Sequence, residues 1–291
     1  MTTAAIADVL TTRSRDVGDF DVRRALPSAR RKLIGPFIFF DQMGPVTFED
    51  GQAMDVRPHP HIGLATVTWL TEGALRHQDS LGVDQVIRPG EVNLMTAGRG
   101  IVHSERTPAE ARDVGATMAG IQTWLALPRA LAEMEPAFDH YPAEAIPSVE
   151  IDGVQVTLIM GSGWGVTSPV KTYSETLYAE LRCGVGSTLA LDGGVAERAI
   201  YVLTGALEID GRRCEPGEMI VLETGTSIDI LPLEATHAFL IGGAPIDGER
   251  IIWWNFVAST AERLEQAKAD WKGGRFPQVP NDAEYIPLPE R

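Results

Sequence analysis

Short runs of apolar and β-branched residues recur along the chain, and each run is bounded by Gly, Pro or Asp. These bounding residues favour turns, so the pattern predicts strands joined by short connections. Many short strands with turn signals between them are typical of a β-sandwich or barrel. The predicted strand-rich segments are 35–45, 65–77, 84–98, 120–128, 154–161, 199–210, 219–223 and 238–243.

The two halves of the chain share three landmarks in the same order. A Gly-Ala-Leu turn follows an apolar strand at Gly73 and again at Gly205. A Pro-Gly-Glu turn lies at residues 89–91 and again at 216–218. In both halves a further glycine lies eight residues after the glycine of that turn. An internal repeat of this kind predicts a duplicated β-domain.

The boundary between the two copies is predicted from composition. Residues 128–147 are richer in Ala, Glu and Pro than their flanks, which is typical of a linker. We therefore expect an N-terminal domain over residues 1–134 and a C-terminal domain over residues 135–291.

One helix is predicted near the end of the chain. Ser259 can cap its first turn, and Glu262 three residues later completes a capping box. Two glycines stop the helix, and four of its side chains, three of them apolar, fall on one face. That face consists of Leu264, Ala267, Lys268 and Trp271, and the glycines are Gly273 and Gly274.

Composition narrows the class of protein. The chain has 25 basic and 40 acidic residues, a net charge of −15 that repels phosphate and argues against direct nucleic-acid binding. No apolar run reaches the length of a membrane span, about 18 residues, and no secretory signal is visible at the N-terminus. Cys183 and Cys214 match no disulfide or metal spacing. We expect a cytoplasmic protein.

Four residues have the chemistry and the spacing of a metal site. His59 and His61 lie two residues apart, as do His103 and Glu105. In an extended segment such pairs point to the same side, so two facing strands would bring four ligands to one ion. A single His-x-His pair in a strand is usually accidental or surface-exposed, but a second pair of ligand residues with the same spacing, His103 and Glu105, favours a metal. The mixed nitrogen and oxygen set suits Fe(II), Mn(II), Ni(II), Cu(II) or Zn(II) without choosing among them.

The segments that carry these residues resemble the pirin family of the cupin superfamily. The similarity runs from RPHPHIGLATVTWLTEGALRHQDSLG through IRPGEVNLMTAGRGIVHSE, and includes GPFIFFDQMGP upstream and IIWWNFVAS downstream. The resemblance implies an all-β bicupin of two antiparallel jelly-roll barrels with a short C-terminal helix. It also implies one metal ion per chain, most often iron, bound by His59, His61, His103 and Glu105.

The same resemblance implies two functions. Pirins are similar to quercetin 2,3-dioxygenases, which cleave a phenolic flavonol with O2 and release carbon monoxide. In that reaction Glu105 is the expected catalytic base for the flavonol hydroxyl. Other pirins act as redox-sensing regulators through protein–protein contacts, and this alternative remains open.

Some positions depart from the pattern or are open to two interpretations. Ala65 stands where pirins commonly have an acidic residue, so the pocket wall or the surroundings of the ligands are expected to differ. His77 is interpreted as a structural histidine or as a residue that orients a ligand. Arg99 is interpreted as fixing a turn or as binding an anionic substrate group. His140 and His237 are expected to be structural or exposed.

The second copy is expected to lack the metal site. Aligning the two halves on their glycines sets apolar residues and a glycine against the four predicted ligands, so the C-terminal domain is predicted to serve as a scaffold. The pairs are Leu191 with His59, Gly193 with His61, Ile230 with His103, and Pro232 with Glu105.

Overall fold

Antiparallel strands make up most of the computed structural model, which describes residues 5–16, 21–49, 52–112 and 115–290. Up to residue 141 the strands are β1 (Ile6–Thr11), β2 (Arg13–Asp16), β3 (Asp21–Leu26), β4 (Phe37–Thr47), β5 (Asp55–His61), β6 (Leu64–Glu72), β7 (Leu75–Asp79), β8 (Asp84–Ile87), β9 (Val92–Thr96), β10 (Ile101–Arg106), β11 (Thr117–Ala126) and β12 (Ala137–Tyr141). They are followed by β13 (Ser148–Ile151), β14 (Val154–Met160), β15 (Ser162–Gly163), β16 (Val166–Thr167), β17 (Thr176–Cys183), β18 (Leu189–Leu191), β19 (Glu197–Thr204), β20 (Leu207–Ile209), β21 (Arg212–Cys214), β22 (Glu218–Leu222), β23 (Ile228–Pro232), β24 (Thr236–Gly243), β25 (Ile251–Trp253) and β26 (Phe256–Ala258). Three short 3₁₀ turns (Ala109–Ala111, Arg129–Leu131 and Ala143–Ala145) and one α-helix, α1 (Ala261–Lys272), complete the described elements.

The chain divides into two compact units. Unit 1 consists of Met1–Ser14, Arg23–Phe40 and Glu144–Pro245, and unit 2 of Arg15–Val22, Asp41–Ala143 and Ile246–Arg291. The C-terminal hairpin and helix therefore lie in the unit that contains the predicted metal ligands. Each unit consists of three separate segments of the chain. The division into folding domains at residues 1–134 and 135–291 stays a prediction.

The same pair of sheets occurs twice, as the repeat predicts. A seven-stranded sheet of order β12-β9-β6-β11-β4-β3-β2 accompanies a four-stranded sheet of order β5-β10-β7-β8. The second pair has orders β1-β22-β19-β24-β17-β14-β13 and β18-β23-β20-β21. The all-β bicupin fold is confirmed, with each jelly roll formed by two antiparallel sheets that do not close into a continuous barrel.

Each unit has its own apolar core. Alternating residues of the strands supply it, since successive side chains in a strand point to opposite faces. In unit 1 the core includes Leu158, Leu181, Leu189, Ile230 and Leu240, together with both cysteines. In unit 2 it includes Met43, Phe48, Leu70, Leu75 and Met118.

The C-terminal helix is confirmed, but its predicted cap is wrong by one residue. Thr260 is the N-cap, with an extended backbone, and its side-chain oxygen accepts the Arg263 N–H at 3.2 Å. Ser259 and Thr260 are both able to cap a helix, so residue type alone could not separate them. Leu264 and Ala267 are buried, as the pattern predicts, and Gly273 ends the helix. Among the described residues, no helix is long and apolar enough to cross a membrane.

Candidate metal centre

Three buried imidazoles converge in unit 2. Strands β5 and β10 are antiparallel neighbours, and His59 lies opposite His103. His61 faces the same side as His59 because the two are separated by one residue. The ring centroids are 4.3 Å (His59–His103), 4.9 Å (His61–His103) and 5.0 Å (His59–His61) apart. One nitrogen of each ring lies within 4.8 Å of the others, which makes the cluster able to hold a metal ion.

Main-chain carbonyls fix the orientation of two of these rings. His59 Nδ1 lies 2.9 Å from the Arg57 carbonyl oxygen, and His61 Nδ1 lies 3.1 Å from the Asn255 carbonyl oxygen. A carbonyl only accepts hydrogen bonds, so both imidazoles donate from Nδ1 and keep an unprotonated Nε2. That nitrogen carries the lone pair that a metal requires.

Asn255 reaches the site on the hairpin formed by β25 and β26. Ile62 forms a bridge with Phe256, and the Val257 N–H donates to the Ile62 carbonyl at 3.2 Å. Gly63 makes this approach possible, because a Cβ there would lie 2.1 Å from the Val257 carbonyl oxygen. The hairpin is therefore part of the candidate site, although it is remote from His61 in sequence.

A side-chain pair holds the third ring. His103 Nδ1 lies 3.3 Å from His77 Nδ1, and His77 Nε2 lies 3.0 Å from Asp79 Oδ2. His103 Nε2 is buried and has no hydrogen-bond partner among the described residues. An imidazole nitrogen left unsatisfied in this way costs free energy unless something coordinates it. The donor set and this orphaned atom fit a transition-metal ion.

Burial keeps the three rings neutral. It lowers the pKa of His59 to about 4, against the opposing effect of the Arg57 hydrogen bond. Burial also lowers the pKa of His61 and of His103 well below the usual range, and the neighbouring imidazoles add to the effect. Neutral imidazole is the form that binds metals, so the site is prepared for a cation near neutral pH.

Glu105 is buried on the same strand but lies outside the three-histidine cluster. The register of β10 against β5 shifts between His103 and Glu105, which lies opposite Val56. Glu105 Oε1 accepts a hydrogen bond from Gln122 Nε2 at 2.7 Å. Burial raises the pKa of the Glu105 carboxyl, and the Gln122 hydrogen bond partly offsets this effect. Its place as the fourth ligand stays a prediction.

Comparison with known proteins identifies the family. A family model described as "Pirin" matches residues 19–125, and one described as "Pirin C-terminal cupin domain" matches residues 178–277. A pirin-like protein of Caulobacter vibrioides is 45% identical over 97% of this chain and 99% of its own. The chain belongs to the pirin family. Human Pirin is 31% identical, with 87% of each chain covered.

A solved structure supports the same assignment. The crystal structure of a quercetin 2,3-dioxygenase from Acinetobacter baumannii is similar to this pirin-family chain with a TM-score of 0.90 and 37% sequence identity. The similarity covers 98% of this chain and 96% of that one.

One face of the seven-stranded sheet forms a wall opposite the imidazoles. Trp124 contacts His61 with ring centroids 5.0 Å apart, and Phe138 stacks on His77 at 4.4 Å. Residues opposite each other in neighbouring antiparallel strands share a face, so the strand registers define two rows across this wall. The mainly apolar row is Phe138, Met95, Thr66 and Trp124, in which Thr66 is the polar member, and the polar row is His140, Asn93, Thr68 and Gln122.

Ala65 does not contribute to this wall. It alternates with Thr66 along β6 and lies opposite Thr96 and Leu125, so its side chain points to the other face of the sheet. Of the two expectations for Ala65, an altered pocket wall is therefore wrong, and altered surroundings of the ligands stay a prediction. Sequence position alone could not show this, because the face of each residue depends on the register.

The other candidate residues lie in three different settings. Arg99 is exposed and forms an ion pair with Glu135 at 2.7 Å. His140 is half-buried and hydrogen-bonded to Asn93 at 2.8 Å. His237 lies in unit 1, where its Nε2 is 2.6 Å from Glu180 Oε1. Only His77 of these candidates contacts a predicted ligand.

The corresponding sheet of unit 1 carries apolar residues at the ligand positions. Leu189 lies opposite Ile230, as His59 lies opposite His103. Leu191 then takes the place of His61, so the predicted register of Leu191 and Gly193 is wrong by two residues. The connection from β18 to β19 spans 192–196 and that from β5 to β6 only 62–63, so equal spacing could not hold.

Proposed function

We propose that this pirin-family protein is a metal-dependent dioxygenase that cleaves a flavonol or a related enolisable phenol with O2. The observation that carries the proposal is the convergence of three buried, neutral imidazoles, with His103 Nε2 unpartnered within the described residues. The similarity to a quercetin 2,3-dioxygenase structure supports the reaction class.

The proposed cofactor is one Fe(II) ion, held by His59, His61, His103 and Glu105. When bound, such an ion supplies a Lewis-acid site for a substrate oxygen and electrons for reaction with O2. Mn, Ni, Cu and Zn suit the same ligand types, so metal identity is a matter for measurement.

The wall opposite the histidines supports a planar, hydroxylated aromatic substrate. Its mainly apolar row offers Trp124, Met95 and Phe138 for contact with ring faces. Its polar row offers amide and imidazole groups on the same face of the sheet, among them Asn93 and Gln122. An apolar surface with a few placed polar groups is the usual composition of a small-molecule site.

Glu105 is the proposed base. Gln122 holds Oε1, so the second carboxylate oxygen would bind the metal and, once released from it, accept the proton of a substrate hydroxyl. Burial raises the pKa of this carboxyl and therefore makes its ionised form a stronger proton acceptor. The buried surroundings keep bulk water away from the proton after transfer.

Oxygen uptake tests the proposal directly. The protein is purified anaerobically, its metal content is measured, and O2 consumption and carbon monoxide release are followed with a panel of flavonols and other enolisable phenols. We expect both signals, and their loss on chelation. A fully metallated protein that is inert across the whole panel would contradict the enzyme proposal.

The alternative, a redox-sensing regulator, makes a different prediction for the same preparation. The relatives include human Pirin, whose name, unlike that of the quercetin 2,3-dioxygenase, does not describe an enzyme. A regulator should consume no O2 with any phenol, and binding of a protein partner from a cell lysate should differ between ferrous and ferric forms. We place either activity in the cytoplasm, because Cys183 and Cys214 are both free and buried.

A further inference from the structure

We propose that His77 and Asp79 are positioning residues that set the tautomer of His103 and thereby its ability to bind metal. This inference rests on the proposed metal site. It concerns two residues on β7, a neighbour of β10 in the four-stranded sheet.

The three residues form one buried chain of hydrogen bonds. Asp79 is fully buried, His77 is 4% exposed and His103 is 1% exposed, so all three side chains are shielded from bulk solvent. His103 lies directly opposite Asp79 in the β7–β10 ladder, and Glu105 lies opposite His77. The side chains of His77 and Asp79 point to the same face because they are two residues apart.

The direction of each hydrogen bond follows from Asp79. A carboxylate only accepts, so His77 donates from Nε2, and in its neutral form it has an acceptor lone pair at Nδ1. His103 must then donate from its own Nδ1, which leaves its Nε2 unprotonated and free for a cation. The relay therefore selects the tautomer that can bind metal.

His103 differs in this respect from the other two imidazoles. His59 and His61 donate to main-chain carbonyls, whose acceptor character is permanent. The partner of His103 is another imidazole, which can accept or donate at Nδ1. His103 alone needs a second residue to decide the direction of its hydrogen bond, and Asp79 supplies it.

The Asp79→Asn substitution tests this relay, because backbone hydrogen bonds in the turn after β7 hold one side-chain oxygen of residue 79 in place. Asp79 Oδ1 accepts the N–H groups of Leu81 at 2.8 Å and Val83 at 3.2 Å. In the variant these donors hold the amide oxygen in place, so the amide NH2 faces His77 Nε2. His77 must then accept at Nε2 and carry its proton on Nδ1, which opposes the N–H of His103. His103 is expected to move its proton to Nε2 and lose its metal lone pair.

Two measurements read the effect. Long-range 1H–15N correlation spectra of metal-free, 15N-histidine-labelled protein should show His103 protonated at Nδ1 in the wild type and at Nε2 in Asp79→Asn. Titration with Co(II) should show affinity weakened by about 10- to 100-fold in the variant. His77→Phe, which removes the acceptor itself, should weaken Co(II) binding at least as much.

Asp84→Asn is the matched control. Asp84 lies on β8 and is hydrogen-bonded to Arg76 on an exposed surface, so the substitution removes a carboxylate of the same region that makes no hydrogen bond to His77, Asp79 or His103. It should leave both the His103 tautomer and the Co(II) affinity unchanged. An Asp79→Asn protein that is folded by circular dichroism and keeps the wild-type His103 tautomer and Co(II) affinity overturns the inference. A wild type that binds no Co(II) but has the predicted tautomer contradicts the metal site and leaves the relay standing.

Discussion

Each of the three buried imidazoles contributes a separate nitrogen to the candidate site, so the loss of one should weaken metal binding by the whole site. In His61→Ala and in His103→Ala we expect metal content to fall from about one equivalent to near zero after purification. His237→Ala removes a histidine paired with Glu180 in unit 1 and should leave metal content unchanged. Elemental analysis of the three variants decides; normal content in both site variants removes this cluster from consideration.

Glu105 allows metal binding and proton transfer to be separated. Glu105→Gln keeps three imidazoles and an amide oxygen, so we expect appreciable metal. Turnover of an active flavonol should fall by about two to four orders of magnitude, the usual effect of losing a placed base. Glu150→Gln, on an exposed strand position, serves as the control. Steady-state O2 uptake at matched metal content measures the effect, and unchanged turnover would assign the base to another residue.

The stability of the metal-free protein should depend on pH through the same imidazoles. Burial lowers the pKa of His59 to about 4, so between pH 6.5 and 4 the unfolded chain binds a proton that the folded chain does not. The free energy of unfolding should therefore decrease as the pH is lowered from 6.5 to 4. The decrease should be about 3 kcal/mol for His59 alone, at 1.36 kcal/mol per pH unit.

The other buried groups modify that dependence. His61 and His103 act in the same direction as His59, because burial lowers the pKa of each. Glu105 acts oppositely above its usual pKa, because burial raises its pKa and the folded form then holds the extra proton. Urea denaturation with chelator at pH 7 and pH 5 should give a lower midpoint at pH 5. A smaller difference is expected for His59→Gln, and an equal midpoint at both pH values in the wild type would contradict the assignment.

The two pairs of predicted ligands could be identified from sequence, but the residues that hydrogen-bond to them could not. Residues two apart in a strand share a face, so the spacing of His59 with His61 and of His103 with Glu105 predicts a metal site, and the family resemblance implies the same four ligands. His77 and Asp79 have the same spacing, and that signal was available. Gln122 reaches Glu105 from a strand of the other sheet, and its sequence neighbourhood carries no trace of that contact.

At the scale of elements, substitutions can test whether Thr260 or Ser259 is the N-cap of α1. Thr260→Ala removes the hydrogen bond to the Arg263 N–H and should lower the free energy of unfolding by about 1 kcal/mol. Thr260→Ser should retain most of the stability. Ser259→Ala is the comparison, because Ser259 Oγ is buried without a hydrogen-bond partner in the described residues. Urea denaturation separates the two positions; a larger loss in Ser259→Ala would restore Ser259 as the cap.

The positions of the strands can be predicted from the turn-forming residues between them. The register between paired strands depends on contacts that those residues do not determine. The glycines at 73 and 205 both have positive φ, as the predicted turns require. The longer connection before β19 shifted Leu189 and Leu191 into the positions of His59 and His61. A pattern of turns therefore identifies the repeat, while insertions between turns decide which residues correspond.

At the scale of the whole molecule, the two copies of the β-domain differ in the side chains at corresponding interior positions. Unit 2 has histidines where unit 1 has leucines and an isoleucine. Leu189 is fully buried in the core of unit 1. Leu189→Ala should lower the free energy of unfolding by about 2–5 kcal/mol, the usual cost of emptying a leucine site. Metal content should stay at one equivalent per chain. Chemical denaturation and elemental analysis check the two halves of this prediction, and loss of metal together with stability would contradict a purely structural second copy.

The fold class was predictable because the repeat, the turns and the alternation all agree. The assignment of the C-terminal hairpin to unit 2 was not, because it depends on backbone hydrogen bonds between residues such as Ile62 and Val257. Neither residue type restricts its main-chain partner. The local sequence pattern therefore predicts the fold class. The boundaries of the compact units depend on backbone pairing between distant residues, which the pattern does not predict.

The carbonyl of Asn255 that orients His61 also sets an order of events during synthesis. The two residues are 194 positions apart, so at about 5–20 residues per second the ribosome makes Asn255 roughly 10–40 s after His61. A nascent chain with both strands β5 and β10 already outside the ribosome still lacks the acceptor that fixes the His61 tautomer. Metal should consequently load after the hairpin has been released, and ribosome-stalled chains ending before residue 250 should retain little of it.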